Sequence, residues 1–169
     1  MKSFLWIIMF CLLIPLFLYT CQNSTSPEDR LIYYNSFEKT SDFDGWQGIS
    51  ASNMVDDSSP NGGVKSVCVS GGCMMPTSTF TLPPNDADNH IIVQFYGKNL
   101  GMGGSVVLSS GEAYYDEYSI FVKDTVWTFY QSQEIYKWPA GSSLKLCMNS
   151  GGYVASAMLI DELKIIKVF

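Results

Sequence analysis

The chain has 169 residues, with 16 acidic against 10 basic side chains and a net charge of −6. That balance argues against nucleic acid, whose phosphates demand a basic face, and disfavours docking on anionic lipid headgroups. The length suits about one ordinary domain with a real core.

Met1 to Thr20 has the parts of a secretory signal: a basic start at Lys2, an apolar stretch from Phe4 to Leu18 and a short exit before Cys21. Pro15 interrupts the stretch, which falls short of the roughly 20 residues a spanning helix needs. Residues 1–20 therefore read as a cleaved leader rather than a permanent membrane span. Leu18-Tyr19-Thr20-Cys21 resembles a lipobox, in which the Cys21 thiol is diacylated before cleavage; Tyr19 departs from the small residue of the stricter pattern. The arrangement resembles Bacteroidetes-type lipoproteins. It implies a lipid anchor in the outer membrane, with the protein surface-exposed or periplasmic. Two or three acyl chains, at about 0.8 kcal/mol per buried methylene, hold a protein to a bilayer where one would not. Residues 21–30 form a polar tether, QNSTSPEDR after the cysteine, with no large apolar residue to bury.

From Leu31 onward, short segments rich in Val, Ile, Phe, Tyr, Trp and Thr alternate with Gly, Pro, Asn and Asp clusters, the punctuation of strands. Strands are predicted at Leu31–Glu38, Trp46–Ser50, Val64–Ser70, Thr79–Leu82, Ile91–Lys98, Ser105–Ser109, Tyr118–Lys123, Val126–Gln131, Leu144–Asn149 and Met158–Val168. Several alternate at period two, as half-buried antiparallel strands must. Ile91, Val93 and Phe95 share one face; so do Val67 and Val69, then Tyr118, Ile120 and Val122, then Leu144, Leu146 and Met148. Met158–Phe169 is ambiguous, because Leu159, Leu163 and Ile166 also share a helical face. Ile165, Ile166, Val168 and Phe169 favour the strand.

Cys11 leaves with the leader and Cys21 carries lipid, so Cys68, Cys73 and Cys147 remain. In an exported chain that suggests one disulfide and one thiol. A local Cys68–Cys73 bridge across a hairpin turn is one pairing. A zinc site is disfavoured, since three scattered cysteines and the single His90 match no ligand spacing.

The order Asn35-Ser36-Phe37-Glu38, Gly45-Trp46, Asn61-Gly62-Gly63-Val64-Lys65-Ser66, Trp127-Thr128-Phe129-Tyr130 and Ile160-Asp161-Glu162-Leu163 resembles the jelly-roll sandwich of carbohydrate-binding modules, also called galactose-binding-like domains. The likeness covers nearly all of residues 31–169 and implies a single all-β antiparallel jelly roll of about ten strands. It also implies a structural calcium ion held by Glu38 and Asp161 between the first strand and the last, as the ion's preference for hard oxygens allows. In such a roll Thr79–Leu82 pairs antiparallel with Leu144–Asn149, which implies a Cys73–Cys147 disulfide. Trp46 and Trp127 are assigned to the core, where the family keeps its tryptophans.

No nucleophile elbow, phosphate loop or ligand cluster accompanies His90, which is expected to cap the turn before Ile91, so no enzyme is expected. Asp56-Asp57 and Asp116-Glu117 are sequence neighbours that point apart if extended, and read as solvated loop charges. Binding is better provided for. Tyr114, Tyr115, Phe121, Lys123 and Trp138 form the candidate ligand site, with rings that can stack on apolar sugar faces and polar groups for hydroxyls. Glycan binding is the leading expectation; the alternative is a structural envelope lipoprotein that contacts a protein partner.

Overall fold

The computed structural model describes residues 30–71, 78–109, 118–151 and 156–168. The chain divides into two compact units, residues 1–30 and 31–169; the leader, Cys21 and the tether lie outside the described residues. Among the described residues no helix is long and apolar enough to cross a membrane.

The second unit is all-β. Its strands are β1 (Leu31–Asn35), β2 (Met54–Val55), β3 (Ser66–Ser70), β4 (Ser78–Leu82), β5 (Asn89–Asn99), β6 (Gly104–Ser109), β7 (Ser119–Val122), β8 (Thr128–Gln131), β9 (Tyr136–Trp138), β10 (Leu144–Ser150) and β11 (Ala157–Lys167). They form two antiparallel sheets. The first has seven strands in the order β2-β3-β11-β5-β8, with β1 on β11 and β9 on β5; the second has four, β4-β10-β6-β7. This is the expected jelly-roll sandwich, and β4 pairs antiparallel with β10 as that topology requires, Cys147 standing opposite Thr79.

Alternation decides what goes inside. Val67 and Val69, then Ile91, Val93 and Phe95, then Leu144, Leu146 and Met148 all meet in one apolar core. An aromatic cluster adds to it: Phe37 stands 5.8 Å from Phe43 and 6.0 Å from Trp46, and Trp46 stands 5.4 Å from Phe80. The Trp46 indole donates to the Tyr33 hydroxyl at 3.0 Å, so its one polar atom is satisfied. Trp46 is thus a core residue, as expected.

Trp46–Ser50 is not a strand. It makes one isolated bridge, Gln47 to Thr79, and Gly48 then takes φ 84°, a conformation that stops an extended run. The sequence also passed over β9, three residues laid against the start of β5. His90 lies within β5 opposite Lys137, not in a turn before it.

The segment predicted as Met158–Val168 is a strand, Ala157–Lys167, and it carries an irregularity. Register slips between Asp161 and Lys164, and Glu162 takes φ 52°. Met158, Ile160, Leu163 and Ile165 enter the core while both Asp161 and Glu162 stay out of it. A β-bulge inserts one residue on the outer side, so the inward positions step by three from Ile160 to Leu163.

Both cysteine pairings involve Cys73. Cys68 lies on β3, which pairs with β2 and β11, whereas β4 belongs to the other sheet. Cys68 is a free, half-buried thiol whose pKa burial pushes up. Cys73 lies outside the described residues.

Ile160 is fully buried on the central strand. Ile160→Ala should lower stability by about 2–5 kcal/mol, read as a shift of the urea midpoint at unchanged slope.

Candidate functional site

Two surfaces matter, one on each sheet. On the seven-stranded sheet the bulge turns Asp161 outward, where the loop from Asp57 to Lys65 covers it completely. Asp161 Oδ2 accepts from Ser59 N at 2.8 Å and Oδ1 from Glu162 N at 2.8 Å. Burial nevertheless pushes its carboxyl above the usual aspartate range, against the pull of those N–H groups. Glu38, just beyond β1, grips the other side of the loop, its Oε1 accepting from Val64 N and Lys65 N, both at 2.9 Å. The two expected metal-binding carboxylates therefore flank one Gly62-Gly63 step.

That step has no room for side chains. A Cβ on Gly62 would collide with Asp161 Oδ2, and one on Gly63 would stand 2.5 Å from the Glu38 carboxyl carbon. Ser59 Oγ is buried beside Asp161 with no well-formed hydrogen bond. Among the described residues no three His, Cys, Asp or Glu side chains gather. A calcium ion here would therefore combine the two carboxylates with hydroxyl and carbonyl oxygens, a donor set of the hard kind it prefers. The loop brings two carboxylates and one buried hydroxyl together, with Glu38 Oε1 and both Asp161 oxygens already accepting backbone N–H groups.

The same loop is pinned by Asp57, which is no solvated charge. It takes Lys98 Nζ at 2.7 Å and the Trp127 indole N–H at 2.8 Å, while Asn61 donates to the Tyr96 hydroxyl at 2.6 Å. Trp127, assigned to the core from the sequence, is instead a half-exposed post for this loop.

The outer face of the four-stranded sheet is different in kind. With Leu144, Leu146, Met148, Val106, Leu108, Ile120 and Val122 turned inward, cross-strand pairing lays two rows outside: Thr79, Cys147, Val107 and Ser119; then Asn149, Ser105 and Phe121. Small polar side chains dominate, and one large ring stands clear. Phe121 is 58% exposed, with Lys123 Nζ 5.9 Å from its ring centroid.

The backbone beneath that pair is held from several sides. The Tyr130 hydroxyl accepts from Lys123 N and Asp124 N, each at 3.1 Å, and donates to Asp124 Oδ2 at 2.6 Å. Asn99 Nδ2 adds a bond to Lys123 O at 3.2 Å. Phe121 and Lys123 border two clefts. One, of 390 Å³, also includes Asn99, Ser105 and Asn149; the other, of 430 Å³, includes Tyr118, Ser119, Gln131 and Glu134. Both have the size of a small-molecule site.

Of the five expected ligand residues, the structure brings Phe121 and Lys123 together. Tyr114 and Tyr115 lie outside the described residues. Trp138 is corrected: it is 3% exposed, inward-facing on β9, and its indole donates to Ser142 O at 2.7 Å. It offers no face to a ligand. Asn149, Ser105 and Tyr130 were missed. Alternation already set Asn149 opposite the core, yet its proximity to Phe121 depends on the ladder β10-β6-β7, which local pattern does not contain.

No family model matches the chain, and no curated protein does either. Solved structures do. The xylan-binding CBM22-1 domain of Paenibacillus barcinonensis Xyn10C aligns with TM-score 0.58 at 20% identity, over 82% of this chain and 94% of that one. A further CBM22 xylan-binding domain aligns at 0.56 and 15% identity, over 83% and 97%. The CBM22-1-GH10 modules of Clostridium thermocellum Xyn10B, solved with xylohexaose, align at 0.57 and 15% identity, over 83% of this chain and 29% of that one. The fold is the jelly-roll sandwich of carbohydrate-binding modules. At these identities the likeness establishes architecture, and function must be argued from the site.

The loop clamp has a pH signature. Its bonds to the Lys98 ammonium and the Trp127 indole hold the Asp57 carboxyl below its ordinary 3.8, so the folded state binds that proton less readily than the unfolded one. Asp57's contribution is complete above pH 3.8 and is lost as pH falls through the depressed folded value. Asp57→Asn should flatten this part of the acid-unfolding curve, measured by fluorescence between neutral pH and pH 2.

Proposed function

We propose that residues 31–169 form a non-catalytic glycan-binding module whose site is the outer face of the four-stranded sheet. The observation that carries this reading is the Phe121 ring, large and exposed beside the small polar side chains of Ser105, Ser119 and Asn149, while Val107 and Cys147 are buried farther along the same face. Sugars have apolar C–H faces that pack on an aromatic ring and hydroxyls that bond Ser, Asn and Lys. The polar strip supplies the second requirement, and the hydrogen bonds behind Lys123 fix the rim in advance, which reduces the ordering cost of binding. The neighbours of like fold are described as xylan-binding or as holding xylohexaose, which supports a β-linked chain as the first ligand to try.

From the leader and Cys21 we also propose a lipoprotein anchored in the outer membrane. Nothing in this role requires catalysis, since capture holds a polymer near the cell. We also propose that Glu38 and Asp161 hold a structural calcium ion at the Gly62-Gly63 loop, and that Cys73 bridges to Cys147, whose strand lies beside β4.

Calorimetric titration with xylohexaose, backed by a broad glycan array, tests the module. Phe121→Ala should weaken binding about tenfold, the equivalent of ~1.4 kcal/mol for a central ring. Absence of any array hit for the parent protein refutes glycan binding. For the metal, chelation should lower the melting temperature and added calcium restore it, by linkage of binding to folding; an unchanged transition removes calcium from the account.

A further inference from the structure

Charge is distributed unevenly about Phe121. Among the described residues three lysines are ion-paired: Lys98 with Asp57, Lys137 with Asp88 and Lys164 with Glu162. Lys123 is not one of them, and it stands at the 390 Å³ cleft beside an exposed ring. Lys123 is the one charged side chain among the cleft's described lining residues, and the carboxylate of Glu134 lines the neighbouring 430 Å³ cleft instead. Its ammonium is exposed, turned toward the Phe121 ring, and has no ion-pair partner among the described residues. The rest of the lining that bears on a sugar is neutral and polar, namely Asn99, Ser105 and Asn149.

We infer that this cleft selects an anionic glycan, a chain bearing carboxylate or sulfate groups, with Phe121 stacking on a sugar ring and Lys123 meeting the anion. This rests on the glycan reading above and deepens it. A chain with net charge −6 repels a polyanion at long range, so binding one requires a local cation close to the stacking ring. Screening confines the repulsion to about 8–10 Å at ordinary ionic strength, whereas a charge-assisted hydrogen bond at contact survives it. The Tyr130 and Asn99 hydrogen bonds fix the main chain from which that cation projects. A neutral sugar gains nothing comparable from Lys123, so the cation discriminates rather than merely adds affinity.

The test uses the full chain and three probes of equal length: xylohexaose, the same hexaose with one glucuronic acid branch, and the same hexaose with one sulfate ester. At low salt one or both anionic probes should bind about tenfold more tightly than the neutral one, the scale of a single charge-assisted bond. The stronger of the two names the anion. Lys123→Gln should bring the ratio of anionic to neutral affinity close to one, Lys123→Arg should keep it, and high salt should compress it. Equal binding of all three probes overturns the anionic selectivity and leaves the glycan reading standing. Binding of none, together with an empty glycan array, overturns both. A preference that persists in Lys123→Gln places the anion elsewhere and overturns this assignment.

Discussion

Strand β11 runs through the middle of the seven-stranded sheet, laddered to β1 and β3 on one side and β5 on the other. One extra residue in it turns Asp161 out of the core and under the Ser59–Lys65 loop, where a carboxylate deprived of water must be met by donors. Ser59 N and Glu162 N meet it, while Glu38 holds the far end of the same loop. First strand, last strand and a loop between them are joined by two carboxylates. A neutral isostere in place of Asp161 keeps the shape and loses the charge-assisted bonds, which are about twice as strong as neutral ones. Glu162 extends the arrangement, accepting from the Tyr34 hydroxyl at 2.7 Å and pairing with Lys164. Burial, with Glu162 beside it, pushes the Tyr34 phenol up to about 12, so that hydroxyl remains a donor at any physiological pH.

This clamp divides the labour between the two sheets. Part of the outer face of the larger one, around Asp161, is covered by a loop tied down through Asp57, Asn61 and Trp127, while Tyr34 and Phe129 remain exposed on that sheet. The outer face of the smaller one carries short polar side chains and a ring that stands free. The proposed glycan site would use the surface around Phe121, while the Asp57–Lys65 loop is held closed by its own hydrogen bonds. In that proposal the loop gains from its carboxylates and the 390 Å³ cleft from having none among its described lining residues.

The tryptophans show where local reading reaches its limit. Trp138 precedes a proline and looks like a loop residue, yet β9 pairs Trp138 with Asn89 and Tyr136 with Ile91, and that register turns both rings inward. Trp127 looks like a strand aromatic bound for the core, yet its indole reaches an aspartate 70 residues away. In each case side-chain direction follows from a pairing partner distant in the chain. The bulge in β11 is of the same kind: only the register against β5 reveals the slip between Asp161 and Lys164.

What the amino-acid order determined by itself is the all-β class, most strand positions and which residues of each strand face inward, because burial on a pleated ribbon has period two and needs no partner to be read. Family-like motifs also led to Glu38 and Asp161. Tertiary structure alone decided that those carboxylates share one loop, that Phe121 stands beside Asn149 and Ser105, and that Lys123 is the one charged residue among the described lining of the 390 Å³ cleft. Those facts are relations across strands, set by register and sheet order, and register is fixed by the sum of all the pairings rather than by any one segment.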